Sequence, residues 1–325
     1  MQSPVRRSWL SASSDASGTA ELRILTKVMQ VARGVVVLLV LGVNTILLSL
    51  VLFVCAFAKL LAPNAATLAR VRRFLAKLPV LWISVNNGLF ALMRITRWDV
   101  EVPSGLSSEG CYAVVSNHQS WADILVLQRS FNRRLPFFRF FVKSSLIWLP
   151  ILGQAWWALD MPFMKRHSKE LLARRPELKG QDLENARKAC EKFRDMPVAM
   201  MNFPEGTRIS EYKRLGRESS YRNLLEPRIG GIGQVFYALG EQLDALVDVT
   251  ILYTGTDPAA PLSLWRLVSG QIPRVVVRAR QLQIPAHLLG RNFATDLEFR
   301  EELAAWVRHL WREKDELISG QKLLR

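Results

Sequence analysis

The chain has 325 residues, half of them hydrophobic, and a formal net charge of +16. This length accommodates one large domain with an appendage, and the hydrophobic content suffices for a sizeable core and a membrane segment. The basic charge indicates an anionic partner, either nucleic acid or an anionic membrane. The sequence has no zinc-finger, homeodomain or RNP-like pattern, so its long apolar segments favour the membrane and exclude nucleic acid.

The three cysteines lie far apart in the sequence, at Cys55, Cys111 and Cys190. Their spacing argues against a set of metal ligands or a disulfide framework, and the odd count is typical of a reducing compartment. The sequence also lacks a Walker loop and the glycine fingerprint of dinucleotide binding. We therefore expect no bound metal and no resident cofactor.

The N-terminal quarter of the chain is predicted to be a tail followed by membrane-anchoring helices over residues 20–97. Residues 1–19 are rich in serine and alanine, which predicts disorder. Residues 34–58 carry no charge and are long enough to span a bilayer. A second apolar stretch, residues 78–93, is shorter and contains two asparagines.

Two arrangements of these anchoring segments remain open. Basic residues flank the first segment on both sides, so the positive-inside rule gives no orientation. The two helices can enter one leaflet and return as a hairpin, which leaves both basic flanks at anionic headgroups. The competing arrangement is a single span followed by an interfacial helix.

The rest of the chain predicts an α/β domain over residues 98–285 and a C-terminal helical extension over residues 286–325. Short apolar runs rich in β-branched residues predict strands at 99–102, 111–115, 197–203, 247–253 and 273–280. Apolar residues at helical spacing predict helices at 124–130, 232–243 and 299–310, and a polar, charged stretch predicts an exposed helix at 182–190.

The candidate catalytic residues, His118 and Asp123, lie where the strand at 111–115 gives way to a helix. Such junctions are where α/β sheets usually build their sites. His118 can accept a proton from an alcohol near neutral pH, and a carboxylate on its other ring nitrogen would fix the tautomer. Because the two residues are five apart, they meet only if His118 lies in the turn and Asp123 in the first helical turn.

A structural interpretation of the same stretch competes with the catalytic one. Ser120 and Asp123 fit a capping box, with Ser120 as the N-cap and Asp123 at the third helical position. The two interpretations are compatible, because a cap would also hold Asp123 in place.

Two stretches resemble the signatures of the glycerolipid acyltransferases, the PlsC-like lysophosphatidate acyltransferase superfamily. Asn117-His118 with Asp123 resembles the first signature, and residues 203–208, Phe-Pro-Glu-Gly-Thr-Arg, resemble the second. The resemblance covers residues 100–280 and is strongest to the bacterial inner-membrane branch called YihG. It implies an α/β fold with a mixed central sheet flanked by helices, like that of glycerol-3-phosphate acyltransferase, with an N-terminal hydrophobic helical membrane anchor.

The second signature is expected to bind substrate. Gly206 permits close backbone approach to an anion, and Thr207 offers a hydroxyl. Arg208 supplies a cation whose geometry matches phosphate. Glu205 would accept a hydrogen bond from a glycerol hydroxyl or orient Arg208.

Three further substrate-binding residues follow from the resemblance: Asn117 in the first signature, and Lys143 and Arg166 in a stretch similar to the family's second block. Arg166 stands where the family carries a proposed contact to the acceptor's phosphate. The sequence departs from the bacterial pattern at Asp160, where a glycine is usual, and at Thr250, where a proline is usual. Both departures resemble the eukaryotic branch.

The resemblance implies a membrane-bound enzyme that moves a fatty acyl group from acyl-CoA or acyl carrier protein to the free hydroxyl of 1-acylglycerol-3-phosphate (lysophosphatidate). The product would be phosphatidic acid, made without an acyl-enzyme, with His118 as the base and Asp123 as its helper. The implied location is the bacterial inner membrane, with the active site facing the cytoplasm. Two alternatives stay open: transfer to another lysophospholipid or glycolipid, and a non-catalytic membrane protein that binds lysolipid.

Overall fold

A computed structural model describes residues 9–94, 96–164, 174–175, 177–191, 193, 196–209, 219–256 and 260–323. Two long N-terminal helices, α1 (Trp9–Leu60) and α2 (Ala65–Met93), pack against an α/β domain. Both are long and apolar enough to cross a membrane, α1 over Glu21–Leu60.

The two helices form an antiparallel hairpin. Asn44 of α1 donates a hydrogen bond to the side chain of Asn86 in α2 (2.7 Å), and Trp82 donates to Thr45 (3.1 Å). The helix α2 begins earlier than the apolar pattern predicts, because the side chain of Asn64 caps it by accepting the N–H of Thr67 (2.9 Å).

The helix α1 begins at Trp9, inside the segment 1–19 for which composition predicts disorder. Residues 1–8 lie outside the described residues. Extending an existing helix adds one hydrogen bond per residue fixed, whereas starting a helix is costly. A polar segment that is continuous with a long apolar helix can therefore be helical although its composition alone predicts disorder.

The α/β domain is built on a six-stranded mixed sheet, which confirms the predicted fold class. Its strands are β1 (Arg97–Glu101), β2 (Cys111–Ser116), β3 (Phe138–Arg139), β6 (Val198–Asn202), β7 (Ala245–Thr254) and β8 (Arg274–Leu282). The order is β1-β8-β7-β2-β6-β3, in which β7 and β8 are antiparallel and the other neighbours are parallel. Two short parallel strands, β4 (Val142–Lys143) and β5 (Phe163–Met164), pair separately.

Helices cover both faces of the sheet. They are α3 (Ala122–Phe131), α5 (Glu177–Glu191), α6 (Gly230–Leu239), α7 (Leu264–Val268) and α8 (Leu297–Leu323), whereas α4 (Leu152–Ala158) packs against the N-terminal hairpin. One apolar cluster joins the sheet to α5, α6 and α8, through residues such as Cys190, Phe236 and Trp311. The other joins it to α3, α7 and the N-terminal hairpin, through Val126, Leu267, Val37 and Phe90.

The helix α8, which lies in the predicted C-terminal helical extension (residues 286–325), packs against the sheet. Phe299, Leu303 and Trp311 are fully buried in the first cluster. The same helix contributes Lys314, whose buried ammonium forms an ion pair with Asp248 of β7 (2.6 Å). An apolar stripe at helical period needs a covering surface, and the sheet provides it.

Candidate active site

The site forms where three neighbouring parallel strands end. The strand β2 lies between β6 and β7, and the three run parallel, so their carboxyl ends meet at one edge of the sheet. The segment 117–123 follows β2, the segment 203–208 follows β6, and β7 contributes its last residues. The fold therefore brings the two signatures together.

His118 and Asp123 form the predicted pair. The His118 Nδ1 atom lies 2.8 Å from Asp123 Oδ2. The helix α3 starts at Ala122, so His118 lies in the turn and Asp123 in the first helical turn, as the spacing requires. Asp123 is fully buried, whereas 15% of the His118 side chain is exposed. Because Nδ1 faces the carboxylate, Nε2 is the ring nitrogen left for substrate.

The same carboxylate also organises the start of α3. Asp123 Oδ2 accepts the backbone N–H groups of Gln119 (2.6 Å) and Ser120 (2.9 Å). The Ser120 hydroxyl accepts the N–H of Ala122 (3.2 Å). The N-cap position is occupied by Trp121 and not by the predicted Ser120, because the helix begins one residue later. The side chain of Asp123 thus both binds backbone N–H groups before α3 and contacts His118.

Tyr253, near the end of β7, is a functional candidate that the sequence analysis missed. Its hydroxyl donates a hydrogen bond to Asp123 Oδ1 (2.6 Å) inside the protein. Burial, followed by the charge of Asp123, raises the pKa of Tyr253 well above its ordinary value, so the phenol stays protonated and acts as the donor. The sequence signal that could have identified it is a tyrosine at the end of the apolar run 247–253, whose strand β7 pairs with β2, the strand that precedes His118.

The second signature and the residue after it contact His118 in three ways. Glu205 Oε1 accepts the backbone N–H of His118 (3.1 Å), and Ile209 donates its N–H to the His118 carbonyl (2.9 Å). The ring of Phe203 stacks on the imidazole at a centroid distance of 4.1 Å. The turn that carries His118 is therefore fixed on both backbone sides and on one ring face.

Glu205, predicted to accept a hydrogen bond from an acceptor hydroxyl or to orient Arg208, has a side chain that is only 1% exposed. Burial raises the pKa of Glu205 to about 8, so the carboxyl is neutral at pH 7. Its Oε2 atom has no hydrogen-bond partner within the part of the chain that the structure describes. Glu205 supports the histidine turn from inside the protein.

Asn117, predicted to bind substrate, contacts the neighbouring strand β7 in this structure. It is 1% exposed, and its carboxamide spans the backbone of Ile251: Nδ2 donates to the Ile251 carbonyl (2.9 Å), and Oδ1 accepts the Ile251 N–H (2.8 Å). The side chain acts like a peptide group that continues the β2–β7 ladder past its last backbone pair. A substrate cannot reach it in this arrangement.

The remaining predicted binding residues lie nearer the surface. Gly206 adopts a positive φ of 65°, and a Cβ there would lie 3.2 Å from the Arg228 side chain, so the tight turn needs glycine. Thr207 is half-buried and Arg208 is exposed. The Arg208 guanidinium lies over the ring of Trp121 (5.0 Å), which is 60% exposed.

Lys143 is exposed at the wall of the cavity described next, and Arg166 lies outside the described residues. Trp121, like Tyr253, was missed as a site residue by the sequence analysis.

His118 opens into an apolar cavity of about 540 Å³. This volume lies within the range of about 300–1,000 Å³ that is common for ligand pockets. Helices α1 and α2 form part of its wall, together with α3, α4 and the segment around β4. The lining includes Leu48, Leu52, Leu78, Trp82, Trp121, Ile124, Phe140, Phe141, Leu146, Leu152, Trp156 and Phe203. Within the described residues, no three metal-ligating side chains come together.

Comparisons with known proteins support the resemblance for the region that carries both signatures. Residues 97–241 match the family model described as Acyltransferase. The mouse protein named 1-acyl-sn-glycerol-3-phosphate acyltransferase epsilon is 27% identical over 222 residues, which is 63% of this chain and 56% of that protein. A probable 1-acyl-sn-glycerol-3-phosphate acyltransferase of Arabidopsis thaliana is 25% identical over 191 residues, 56% of this chain and 45% of that protein.

The chain thus spans about half the length of the curated relatives that it matches. Among solved structures, the 1-acyl-sn-glycerophosphate acyltransferase PlsC of Thermotoga maritima matches with a TM-score of 0.47 and 16% identity. That match covers 85% of this chain and 97% of the PlsC chain.

Proposed function

We propose that the chain is a membrane-attached acyltransferase that moves a fatty acyl group from an acyl thioester to the free hydroxyl of 1-acylglycerol-3-phosphate. The observation that carries the proposal is a His118–Asp123 pair, 2.8 Å apart, at the wall of a 540 Å³ apolar cavity. The choice of acceptor is supported by the mouse and plant relatives, which are named for transfer to this lysolipid.

The chemistry is a direct transfer with His118 as general base. The Nε2 atom takes the proton of the acceptor hydroxyl as its oxygen attacks the thioester carbonyl carbon. Asp123 holds the Nδ1 side of the ring and stabilises the imidazolium that forms. When the carbon–sulfur bond breaks, the imidazolium returns the proton and the thiol leaves. The products are the diacyl lipid and a free thiol, and the enzyme is regenerated without a covalent intermediate.

The two ends of the substrates have matching surroundings. The apolar cavity suits a fatty acyl chain, because removing each methylene from water contributes about 0.8 kcal/mol. Arg208 is exposed and close to Trp121, which lines the same cavity, so a phosphate can reach its guanidinium at the rim. Lys143 offers a second cation there. Both acyl-CoA and acyl carrier protein present the required thioester.

The N-terminal hairpin supports attachment to one leaflet. Gly34 packs against Trp265 of α7, and Lys59 forms an ion pair with Asp160 (2.9 Å), so both ends of the apolar segment of α1 contact the α/β domain. Residues 34–59 extend roughly 38 Å at 1.5 Å per residue. Contacts with the domain at both ends of this segment support a helix that lies beside the domain within one leaflet.

The rest of the location follows from the substrates and the resemblance. Acyl thioesters are made in the cytoplasm, so we place the active site on the cytoplasmic face of a bacterial inner membrane. Its partners there are anionic phospholipids, the lysolipid and the thioester donor. Membership of the YihG branch is part of the same proposal.

The test is product formation by purified wild-type protein and the variant His118→Ala, with a panel of lysolipids and both thioester donors, followed by mass spectrometry. The variant is expected to lose about 100- to 10,000-fold in rate, the usual contribution of a general base. His309→Ala is the matched control, because that side chain is 57% exposed on α8. The panel separates lysophosphatidate from another lysophospholipid or glycolipid acceptor.

More than half of the wild-type rate in His118→Ala would rule out the catalytic assignment. Asp123→Asn should lose activity as well. A loss of thermal stability alone in that variant would mean that Asp123 only organises the start of α3.

A further inference from the structure

We propose that Tyr253 is a positioning residue of the catalytic pair, whose hydroxyl holds the Asp123 carboxylate in the orientation that aligns His118. The inference rests on the proposed acyl transfer. It goes beyond that proposal, because Tyr253 lies outside both signatures, on a different strand from either.

The two oxygens of Asp123 are held very differently. Oδ2 receives three donors, namely His118 Nδ1 and the N–H groups of Gln119 and Ser120. Oδ1 receives the Tyr253 hydroxyl, its single donor among the described residues. The terminal torsion of an aspartate is broad, so contacts to one oxygen leave the carboxylate plane poorly fixed. The tyrosine is the contact that fixes the plane.

The charge of Asp123 is compensated by neutral donors. Within the described residues, no lysine or arginine forms an ion pair with it, although it is fully buried. A buried carboxylate is costly unless hydrogen bonds replace its lost hydration. Burial raises the pKa of Tyr253, so its phenol keeps the proton and remains a hydrogen-bond donor near neutral pH.

The strand β7 makes Tyr253 a rigid support. β7 is hydrogen-bonded to β2 on one side and to β8 on the other. Its residue Ile251 is clamped by both ends of the Asn117 carboxamide, next to His118. Because side chains alternate along a strand, Tyr253 projects from the same face as Ile251 and reaches the start of α3. Groups held on strands keep tighter geometry than groups on loops.

The test compares Tyr253→Phe with the matched control Tyr112→Phe. Tyr112 is buried in the same apolar cluster, and its hydroxyl accepts the N–H of Ser107 (3.1 Å) at the other end of β2. Tyr253→Phe is expected to lower kcat about 10- to 100-fold, as for loss of a hydrogen bond to a charged group. The KM values of both substrates should stay within twofold. Tyr112→Phe should retain the wild-type kcat.

A spectroscopic measurement reports the alignment without relying on activity. The chain contains four histidines, so ¹⁵N-histidine labelling gives a simple spectrum, and His118→Ala assigns the resonance of interest. Tyr253→Phe is expected to shift the Nδ1 proton resonance of His118, and Tyr112→Phe to leave it in place.

Two results would overturn the proposal: an unchanged kcat together with an unmoved resonance, or equal losses of activity and melting temperature in both phenylalanine variants. If the wild-type protein transfers no acyl group, the proposed function fails. The resonance shift then still decides whether Tyr253 orients the pair.

Discussion

Replacing Glu205 with glutamine tests whether the raised pKa of this buried carboxyl makes the stability of the protein depend on pH. Burial raises its pKa from 4.5 to about 8 in the folded protein. Between these two values the folded state binds one proton more than the unfolded state. The stabilisation is therefore fully present below pH 4.5 and is lost as the pH rises to 8. At 1.36 kcal/mol per pH unit, the whole window corresponds to about 5 kcal/mol.

Glutamine has the same shape as the neutral carboxyl, and its Oε1 can still accept the N–H of His118. We therefore expect Glu205→Gln to lack this pH dependence. From pH 6 to pH 9 the free energy of unfolding of the wild-type protein should fall by about 3 kcal/mol more than that of the variant. At about 2–4 °C per kcal/mol for a domain of this size, the difference in melting temperature is about 6–12 °C.

The assay is thermal unfolding of the purified proteins in detergent at pH 6 and pH 9. Glu109→Gln is the matched control, because Glu109 is exposed and its replacement should leave the wild-type difference unchanged. An equal fall in melting temperature for Glu205→Gln and the wild-type protein would refute the argument from burial. A large rise in the acceptor KM of Glu205→Gln would show instead that the carboxyl contacts substrate.

Two further predictions concern the phosphate and the anchor. Arg208→Ala should raise the KM for the phosphorylated acceptor about 10- to 100-fold more than the KM for the thioester donor, because it removes a charge-assisted hydrogen bond; an equal rise for both, or a rise for the donor alone, would mean a different ligand. Cysteines introduced at Ser13 and at Thr67, with the native cysteines replaced, should both resist a membrane-impermeant thiol reagent until cells are permeabilised, because a one-leaflet hairpin keeps both on the cytoplasmic face. Labelling of the Thr67 site alone in intact cells would indicate two true spans.

Elements with strong local patterns were predictable from the sequence. The strand β2 follows from the apolar run at 111–115, and β7 from the run at 247–253, because a strand buried on both faces shows a continuous apolar run. The polar, charged stretch at 182–190 predicted the helix α5 as an exposed one, whereas Ala186 and Cys190 of this helix are buried. Helix boundaries differed from the predicted ones where a side chain outside the apolar pattern determines them, as the cap Asn64 does at the start of α2.

Elements whose role depends on distant partners were not predictable. The apolar stripe of α8 indicated a helix, but only the folded sheet shows that Trp311 and Lys314 belong to the core. Tyr253 and Asp123 are 130 positions apart, and no local pattern relates them. The pairing of His118 with Asp123 was predictable because the two residues are only five positions apart, so a turn followed by the first helical turn brings them together.

The two signatures identify the residues that come together at the site. Burial distinguishes the residues that support His118 from those that a substrate can reach. Asn117, Asp123 and Glu205 are each at most 1% exposed, and all three contact the turn or the ring of His118 or the strand beside it. These three side chains therefore hold the imidazole of His118 in position. Groups that a substrate can reach are the partly exposed His118 ring and the exposed Trp121, Lys143 and Arg208. In the direct transfer that we propose, these buried groups keep the Nε2 atom of His118 in place while the acceptor hydroxyl attacks the thioester.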